Sequence, residues 1–200
     1  ARPEQEQMLT FWNWRRGPGQ TATHGNAALA VTSPDLAPIE LYTATSRIVG
    51  WIAPNGRRVT DLLSSQDELH LWRPSPGALD ERNMPGPDSP DGGENGEWQS
   101  LLTAEVILAM PPEWRASRQL RLHRRLRRAA VLAGPFSVTG NVHVPPGVEV
   151  GPHLLRTASF LPLTDAYLLH NGEPPFEHVV SVVIVNAIHI NQIVPLVTLA

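Results

Sequence analysis

Residues 136–147 read FSVTGNVHVPPG, and residues 46–56 read SRIVGWIAPNG. In each stretch two β-branched residues precede a glycine, an apolar residue follows that glycine by two positions, and a proline-containing turn ends on a second glycine. The match continues downstream, where residues 59–63 align with residues 150–155 if one residue is inserted in the second copy. We interpret the two stretches as copies of one structural unit, so the pattern predicts two tandem modules.

Gly50 and Gly140 lie inside the predicted strands of the two copies. A glycine within a strand usually marks a bulge, or the sharp bend that lets a small barrel close. Gly56 and Gly147 end the two turns, where a glycine readily supplies a positive φ. Neither pair belongs to a phosphate-binding motif such as G-x-G-x-x-G or the Walker sequence, so the glycines indicate architecture and not nucleotide hydrolysis.

The composition is that of a mainly β protein. Hydrophobic residues make up 42% of the 200 residues, which is enough for a substantial core. Twenty prolines and fifteen glycines disfavour long helices and favour short strands joined by turns. The net charge of −3 is small, so a preference for polyanions would have to come from a local basic patch.

The chain contains no cysteine, which excludes a disulfide framework, a thiol nucleophile and a Cys-ligated metal site. A reducing compartment fits this composition, and we expect a cytoplasmic protein. No signal sequence begins the chain, although the initial Ala1 leaves open whether a leader was removed. The longest apolar run, residues 179–200, is β-branched and interrupted by polar residues, and therefore predicts strands and not a transmembrane span.

Residues 1–37 are predicted to form an extended N-terminal arm. Its distinctive feature is an aromatic cluster that contains Phe11, Trp12 and Trp14. Such a cluster can bind a protein partner or make peripheral contact with a membrane surface. The alternative is that these rings pack on the protein's own core and anchor the arm.

Residues 38–112 are predicted to form the first module. Alternating or β-branched segments indicate its strands, which are residues 39–43, 47–53, 68–72 and 98–110. A short helix is expected over residues 59–64, with Thr60 as its N-cap. Residues 73–97 are rich in Pro, Gly, Asp, Ser and Asn, and this composition predicts a disordered loop.

Residues 113–200 are predicted to form the second module. Residues 115–126 allow either a helix or a strand, but the repeat aligns residues 130–132 with residues 40–42 and therefore favours a strand over 120–133. The further strands are residues 136–144, 160–169, 179–185 and 188–194, with a short helical or irregular segment that extends through Leu155. Each module then has about five strands and one short helix, which is the inventory of a small SH3-like or Sm-like barrel.

A basic segment precedes and enters the predicted strand of the second module. It contains seven arginines within fourteen residues, which are Arg115, Arg118, Arg121, Arg124, Arg125, Arg127 and Arg128. Four of them are candidate partner-binding residues: Arg121, Arg124, Arg125 and Arg128. They could follow a nucleic-acid backbone or pair with an acidic protein surface. The structural alternative is a solvated face that balances the acidic residues 80–97.

The sequence contains no recognisable motif for catalysis or metal binding. No serine lies in a G-x-S-x-G elbow, and no carboxylate pair is placed for acid–base work. No histidine pair has the i, i+4 spacing of a zinc hydrolase, so turn or surface positions are expected for His143, His153, His170 and His178. We therefore expect a protein that is not an enzyme and needs no cofactor or metal.

Residues 138–147 (VTGNVHVPPG), 160–166 (FLPLTDA) and 183–186 (VIVN) resemble an uncharacterised family of small β-rich bacterial domains. The first module is similar to the same pattern but lacks the Leu-Thr-Asp segment. This resemblance implies a fold and no reaction. A second similarity, of Arg124-x-x-x-Arg128 and Ser137-x-x-Gly140 to the cyclic-dinucleotide motif of PilZ domains, is interrupted by Pro135, where that family has Asp or Asn.

These features predict a non-catalytic binding, adaptor or assembly subunit that uses sheet edges, the arm and the basic strand to contact other proteins or itself. The alternative function is nucleic-acid or nucleotide binding through the arginines of residues 115–128.

Overall fold

The computed structural model describes residues 36–74, 96–111 and 125–196. This part of the chain is mainly β, as predicted. Its ten strands are β1 (Ala37–Tyr42), β2 (Arg47–Ile52), β3 (Glu68–Pro74), β4 (Gly96–Leu102), β5 (Leu108–Met110), β6 (Arg125–Ala133), β7 (Phe136–Val144), β8 (Phe160–His170), β9 (Phe176–Asn186) and β10 (Ile190–Pro195).

Short helices join the strands at corresponding places in the two halves. The helix α1, Val59–Ser65, connects β2 to β3, and a 3-10 helix, Pro152–Arg156, lies between β7 and β8. Further 3-10 helices precede the last strand of each half, at Thr103–Glu105 and Ala187–His189. None of the described helices combines the length and apolar content needed to cross a membrane.

All ten strands belong to one antiparallel sheet in the order β10-β6-β7-β8-β9-β5-β1-β2-β3-β4. The two halves meet where β5 pairs with β9, with Leu108 opposite Val185 and Ala109 opposite Ile184. The prediction of two separate five-stranded barrels is not confirmed. Within the described ranges β4 does not pair with β10, so the sheet is open at both ends.

The two groups of five strands have the same internal order and the same register. In β1 and β2, Ile39 lies opposite Gly50. In β6 and β7, Ala129 lies opposite Gly140, as the alignment of the two glycines requires. The correspondence extends to three more cross-strand pairs: Trp51–Trp72 with Asn141–Thr164, Glu68–Leu102 with Phe160–Asn186, and Leu41–Ala109 with Val131–Ile193.

Both aligned glycines allow a neighbouring strand to approach closely. A Cβ atom on Gly50 would lie 2.8 Å from the carbonyl oxygen of Trp72 on β3. A Cβ on Gly140 would lie 3.0 Å from the Cβ of Ala166 on β8. Gly140 also lies opposite an irregularity of β8 at Asp165, whose φ is 48°. The bulge, one of the two alternatives predicted for these glycines, therefore lies on β8 opposite Gly140.

Two clusters of buried side chains stabilise the sheet. The first core contains Ile39, Leu41, Leu63, Leu71 and other residues mainly from β1–β5 and α1. The second core contains Phe136, Val138, Leu163, Leu168 and other residues mainly from β6–β10.

At the β5–β9 junction, each of the two strands contributes side chains to both cores. Leu108 and Val185 belong to the second core, whereas Ala109 and Ile184 belong to the first. Since successive side chains of a strand point to opposite faces, the two cores lie on opposite faces of the sheet at this junction. The junction is therefore buried on both sides.

Several local predictions need correction. The N-cap of α1 is Arg58, with no side-chain capping bond, so Thr60 is not the cap. The segment 98–110 is two strands, because the 3-10 helix Thr103–Glu105 interrupts it. Of the loop predicted over residues 73–97, both ends are strand, since β3 continues to Pro74 and β4 begins at Gly96. Residues 75–95 lie outside the described residues. The strand predicted over 120–133 is confirmed from residue 125, where the description of this segment begins.

Candidate interaction surfaces

The two outermost strands leave one side of the sheet unpaired at each end. Among the described elements β4 pairs only with β3, and β10 pairs only with β6. We call these the β4 edge and the β10 edge. The main-chain N–H and C=O groups on the outer side of such strands are available to another strand.

Both edges carry large apolar side chains in contact with solvent. On β4, Trp98 is 40% exposed and Leu102 is 46% exposed. At the other end, Val194 on β10 is 38% exposed and Leu132 on the adjacent β6 is 39% exposed. Leu196, which follows β10, is also exposed, and its amide donates to the Arg128 carbonyl over 2.8 Å. Apolar groups at an unpaired strand favour association.

A row of tryptophans crosses the last three strands before the β4 edge. Trp51 on β2 lies opposite Trp72 on β3, with ring centroids 5.5 Å apart and planes at 72°. Trp72 lies opposite Trp98 on β4. The indole of Trp72 passes over Gly96, because a Cβ there would be 2.3 Å from its Cζ2 atom. The row therefore extends from two buried indoles to a half-exposed one at the edge.

The inner end of this row contains a buried polar group. The Nε1–H group of Trp51 makes no hydrogen bond with any of the described residues. An unsatisfied buried donor of this type costs about 1–3 kcal/mol. The arrangement of the tryptophans was not predicted from the sequence, although all three occur in predicted strands of the first module.

Two of the predicted partner-binding arginines lie within the described residues. Arg125 and Arg128 are exposed at the start of β6, together with Arg127 and the 53% exposed Leu126. Because the strand alternates, Arg125 and Arg127 lie on one face, and Leu126 and Arg128 on the other. Guanidinium groups on both faces form a basic strand end, not a single flat basic surface. The candidates Arg121, Arg124, Phe11, Trp12 and Trp14 lie outside the described residues.

A buried carboxylate lies beside the junction of the two halves. Glu40 on β1 is 6% exposed, and its Oε1 accepts hydrogen bonds from Arg47 Nε at 2.6 Å and from the Tyr42 hydroxyl at 2.5 Å. Burial, followed by the charge of Glu40, raises the pKa of Tyr42. The hydrogen bond to Glu40 raises the pKa of Arg47 against the opposing effect of burial. This network satisfies a buried charge and needs no catalytic role to explain it.

Several of the described histidines make hydrogen bonds to side chains or carbonyl groups of the fold. His143 Nε2 lies 3.0 Å from Thr164 Oγ1, and His170 Nδ1 lies 3.2 Å from the Pro174 carbonyl. His189 Nε2 lies 2.7 Å from the Ala104 carbonyl. In the part of the chain that the structure describes, no three His, Asp or Glu side chains come together as a metal site requires.

An open depression of about 280 Å³ lies beside the 3-10 helices of the second half. It is lined by Leu155, Arg156, Thr157, Ala158, Ser159, Ala187 and Ile188. Its lining contains one charged group and no carboxylate or imidazole, so it does not present an arrangement for acid–base chemistry.

Comparison with known proteins adds no relative. No family model matches the chain, and no significant match was found among curated proteins or solved structures.

Proposed function

We propose that this protein is a non-catalytic binding or assembly subunit that contacts other proteins by pairing strands at the β4 and β10 edges. The observation that carries the proposal is the exposure of large apolar side chains at both ends of an open sheet. An added strand would satisfy the free main-chain groups, and Trp98, Leu102 and Val194 would lose water on contact.

We also propose that the fold consists of two tandem barrel-like modules, residues 38–112 and 113–200, fused by the β5–β9 pairing. Support comes from the shared strand order and from the identical registers at Gly50 and Gly140. The modules would belong to the uncharacterised β-rich family that the sequence resembles. In this proposal the protein works in the cytoplasm, where a chain without cysteine needs no oxidising environment.

Affinity purification of the tagged chain from its own cells, followed by quantitative mass spectrometry, tests the edge proposal. A charge at either edge, Trp98→Arg or Val194→Arg, is expected to remove associated proteins. The matched control is Val179→Arg, because Val179 is 79% exposed but lies on β9, outside both edges. Retention of every associated protein by both edge variants would refute the proposal.

Nucleic-acid binding through β6 is the second candidate. The exposed Arg125, Arg127 and Arg128 support it, because exposed guanidinium groups can contact phosphates without reading bases. Binding of generic single-stranded and double-stranded oligonucleotides should weaken steeply with salt. It should also be reduced by Arg125→Gln with Arg128→Gln. Absence of binding at low salt would refute this function.

A further inference from the structure

The β5–β9 junction pairs strands that have different positions in their groups of five. β9 is the fourth strand of its group, and β5 is the fifth strand of the other group. The two edge strands of the described sheet are also a fourth and a fifth strand: β4 is the fourth strand of the first group, and β10 is the fifth strand of the second. β4 and β10 could therefore form a second junction of this type, but they lie at opposite ends of the described sheet and do not pair with each other.

The β10 edge exposes residues that the internal junction buries. The shared register aligns Val194 on β10 with Met110 on β5, and Leu132 on β6 with Tyr42 on β1. At the junction Tyr42 is only 4% exposed, and Met110 packs against the second core. The equivalent Leu132 and Val194 are 39% and 38% exposed.

The β4 edge also exposes residues whose counterparts are covered at the internal junction. The shared register aligns Trp98 with Val182 and Leu102 with Asn186. At the junction Val182 packs against the first core and Asn186 is 3% exposed, whereas Trp98 and Leu102 remain in solvent.

Exposed apolar residues are concentrated at these positions. Of the nine large apolar side chains that are exposed in the described residues, four occupy positions whose counterparts are covered at the junction. They are Trp98, Leu102, Leu132 and Val194. The two edges therefore have the apolar surface of an interface of the β5–β9 type. By analogy with that junction, a fifth strand would pair with the β4 edge, and a fourth strand would pair with the β10 edge.

We propose that the β10 edge of one copy pairs antiparallel with the β4 edge of a second copy, in the register of the β5–β9 junction. This inference rests on the proposed binding function and names the partner. Leu108 lies opposite Val185 at the junction, so Gln192 of one copy lies opposite Leu101 of the next. One residue further along each strand, Ile193 lies opposite Ser100, and Val194 then faces Gln99.

This contact joins two different surfaces, so each added copy leaves one β4 edge and one β10 edge free. Such head-to-tail contacts close into a ring or continue as a filament. In both cases the assembly is a continuous sheet in which the internal junction alternates with the intermolecular one.

Cysteine crosslinking tests the register directly, because the natural chain contains no cysteine. A chain with Gln99→Cys is mixed with a chain with Val194→Cys under mild oxidation. Directly opposed residues have Cβ atoms about 4.5–5.5 Å apart, which is near the range that a disulfide can bridge. We expect a mixed disulfide dimer of twice the 21.9 kDa chain mass.

The control pair is Ser100→Cys with Val194→Cys, which the register places on opposite faces. It should give little of the mixed dimer. Equal yields from the two pairs would overturn the proposed register and with it the inference.

Sedimentation of the purified chain tests the association itself. The mass of the unmodified chain should rise with concentration, and this rise should be lost in Trp98→Arg and in Val194→Arg but kept in Val179→Arg. A monomer at every concentration, with no mixed disulfide, overturns self-pairing. If the edge variants still lose proteins captured from cells, the proposed function remains while this inference fails.

Discussion

Replacing Asn186 by alanine tests how β9 is held to the segment that precedes β5. The Asn186 side chain is almost fully buried, and its Nδ2 group donates to the carbonyls of Val106 at 2.8 Å and Thr103 at 3.1 Å. Its Oδ1 accepts from the Ile188 amide at 3.2 Å. Alanine removes all three hydrogen bonds and opens a small cavity between the two halves.

The size of the effect follows from these partners. A buried polar group that loses its hydrogen bond costs about 1–3 kcal/mol, and the Val106 carbonyl is left in this state. The Thr103 carbonyl still accepts from the Val106 amide at 3.2 Å, and the cavity adds about 1–2 kcal/mol. The Ile188 amide belongs to an exposed residue and can turn to water, so it adds little. We expect Asn186→Ala to lower the free energy of unfolding by about 2–5 kcal/mol, a large part of the stability of a typical domain of about 5–15 kcal/mol.

Urea unfolding monitored by tryptophan fluorescence measures this loss. With a slope of about 2 kcal/mol per molar urea, the midpoint should fall by about 1–2.5 M. The matched control is Asn141→Ala, which removes an exposed hydrogen bond of 3.1 Å to Asp165 and should cost less than about 1 kcal/mol. Equal midpoints for the two variants would refute the assignment of Asn186 as a structural link.

Four further substitutions test other contacts. Tyr42→Phe should cost about 1–2 kcal/mol, because Glu40 loses a buried donor. The pKa of Tyr42 is raised in the folded protein, so its contribution is complete below pH 10 and is lost as the pH rises further; the melting temperature should fall in alkali, less so in Tyr42→Phe. Gly50→Ala should destabilise by about 1–3 kcal/mol in urea unfolding, because the new Cβ would contact a backbone oxygen at 2.8 Å. Trp72→Ala should cost about 3–5 kcal/mol in the same assay, and Trp98→Ala distinctly less, because Trp98 is already 40% exposed.

Glu40 and Asn186 illustrate why the contacts around the β5–β9 junction could not be predicted from the sequence. Glu40 lies in a segment that alternates like a half-exposed strand, and Asn186 lies between two apolar runs. Both residues look like solvent-facing positions. The Glu40 carboxylate is buried with Tyr42 and Arg47 as its partners, and Asn186 with the Thr103 and Val106 carbonyls of the other half. The alternation of a single strand does not record such partners, least of all the distant ones of Asn186.

The strand of residues 125–133 was the most ambiguous element and was predicted correctly in its described part. Local pattern allowed a helix or a strand, because its arginines and leucines suit both periods. The alignment of Gly140 with Gly50 decided in favour of a strand, and the observed register at Ala129 agrees with that alignment. A repeat is informative because two copies provide two observations of one local structure.

The sequence by itself determined most of the described strands, their approximate ends and the matching positions of Gly50 and Gly140 in the two halves. These features depend on side-chain alternation, on turn-forming residues and on glycines such as Gly50 and Gly140, all of which act over a few residues. Only the tertiary structure decided that β5 pairs with β9, that the ten strands form one open sheet, and that Trp98 and Val194 stay exposed at its ends. The physical reason is that alternation identifies the two faces of a strand but not its neighbours, because edge pairing is made by main-chain groups that every strand possesses.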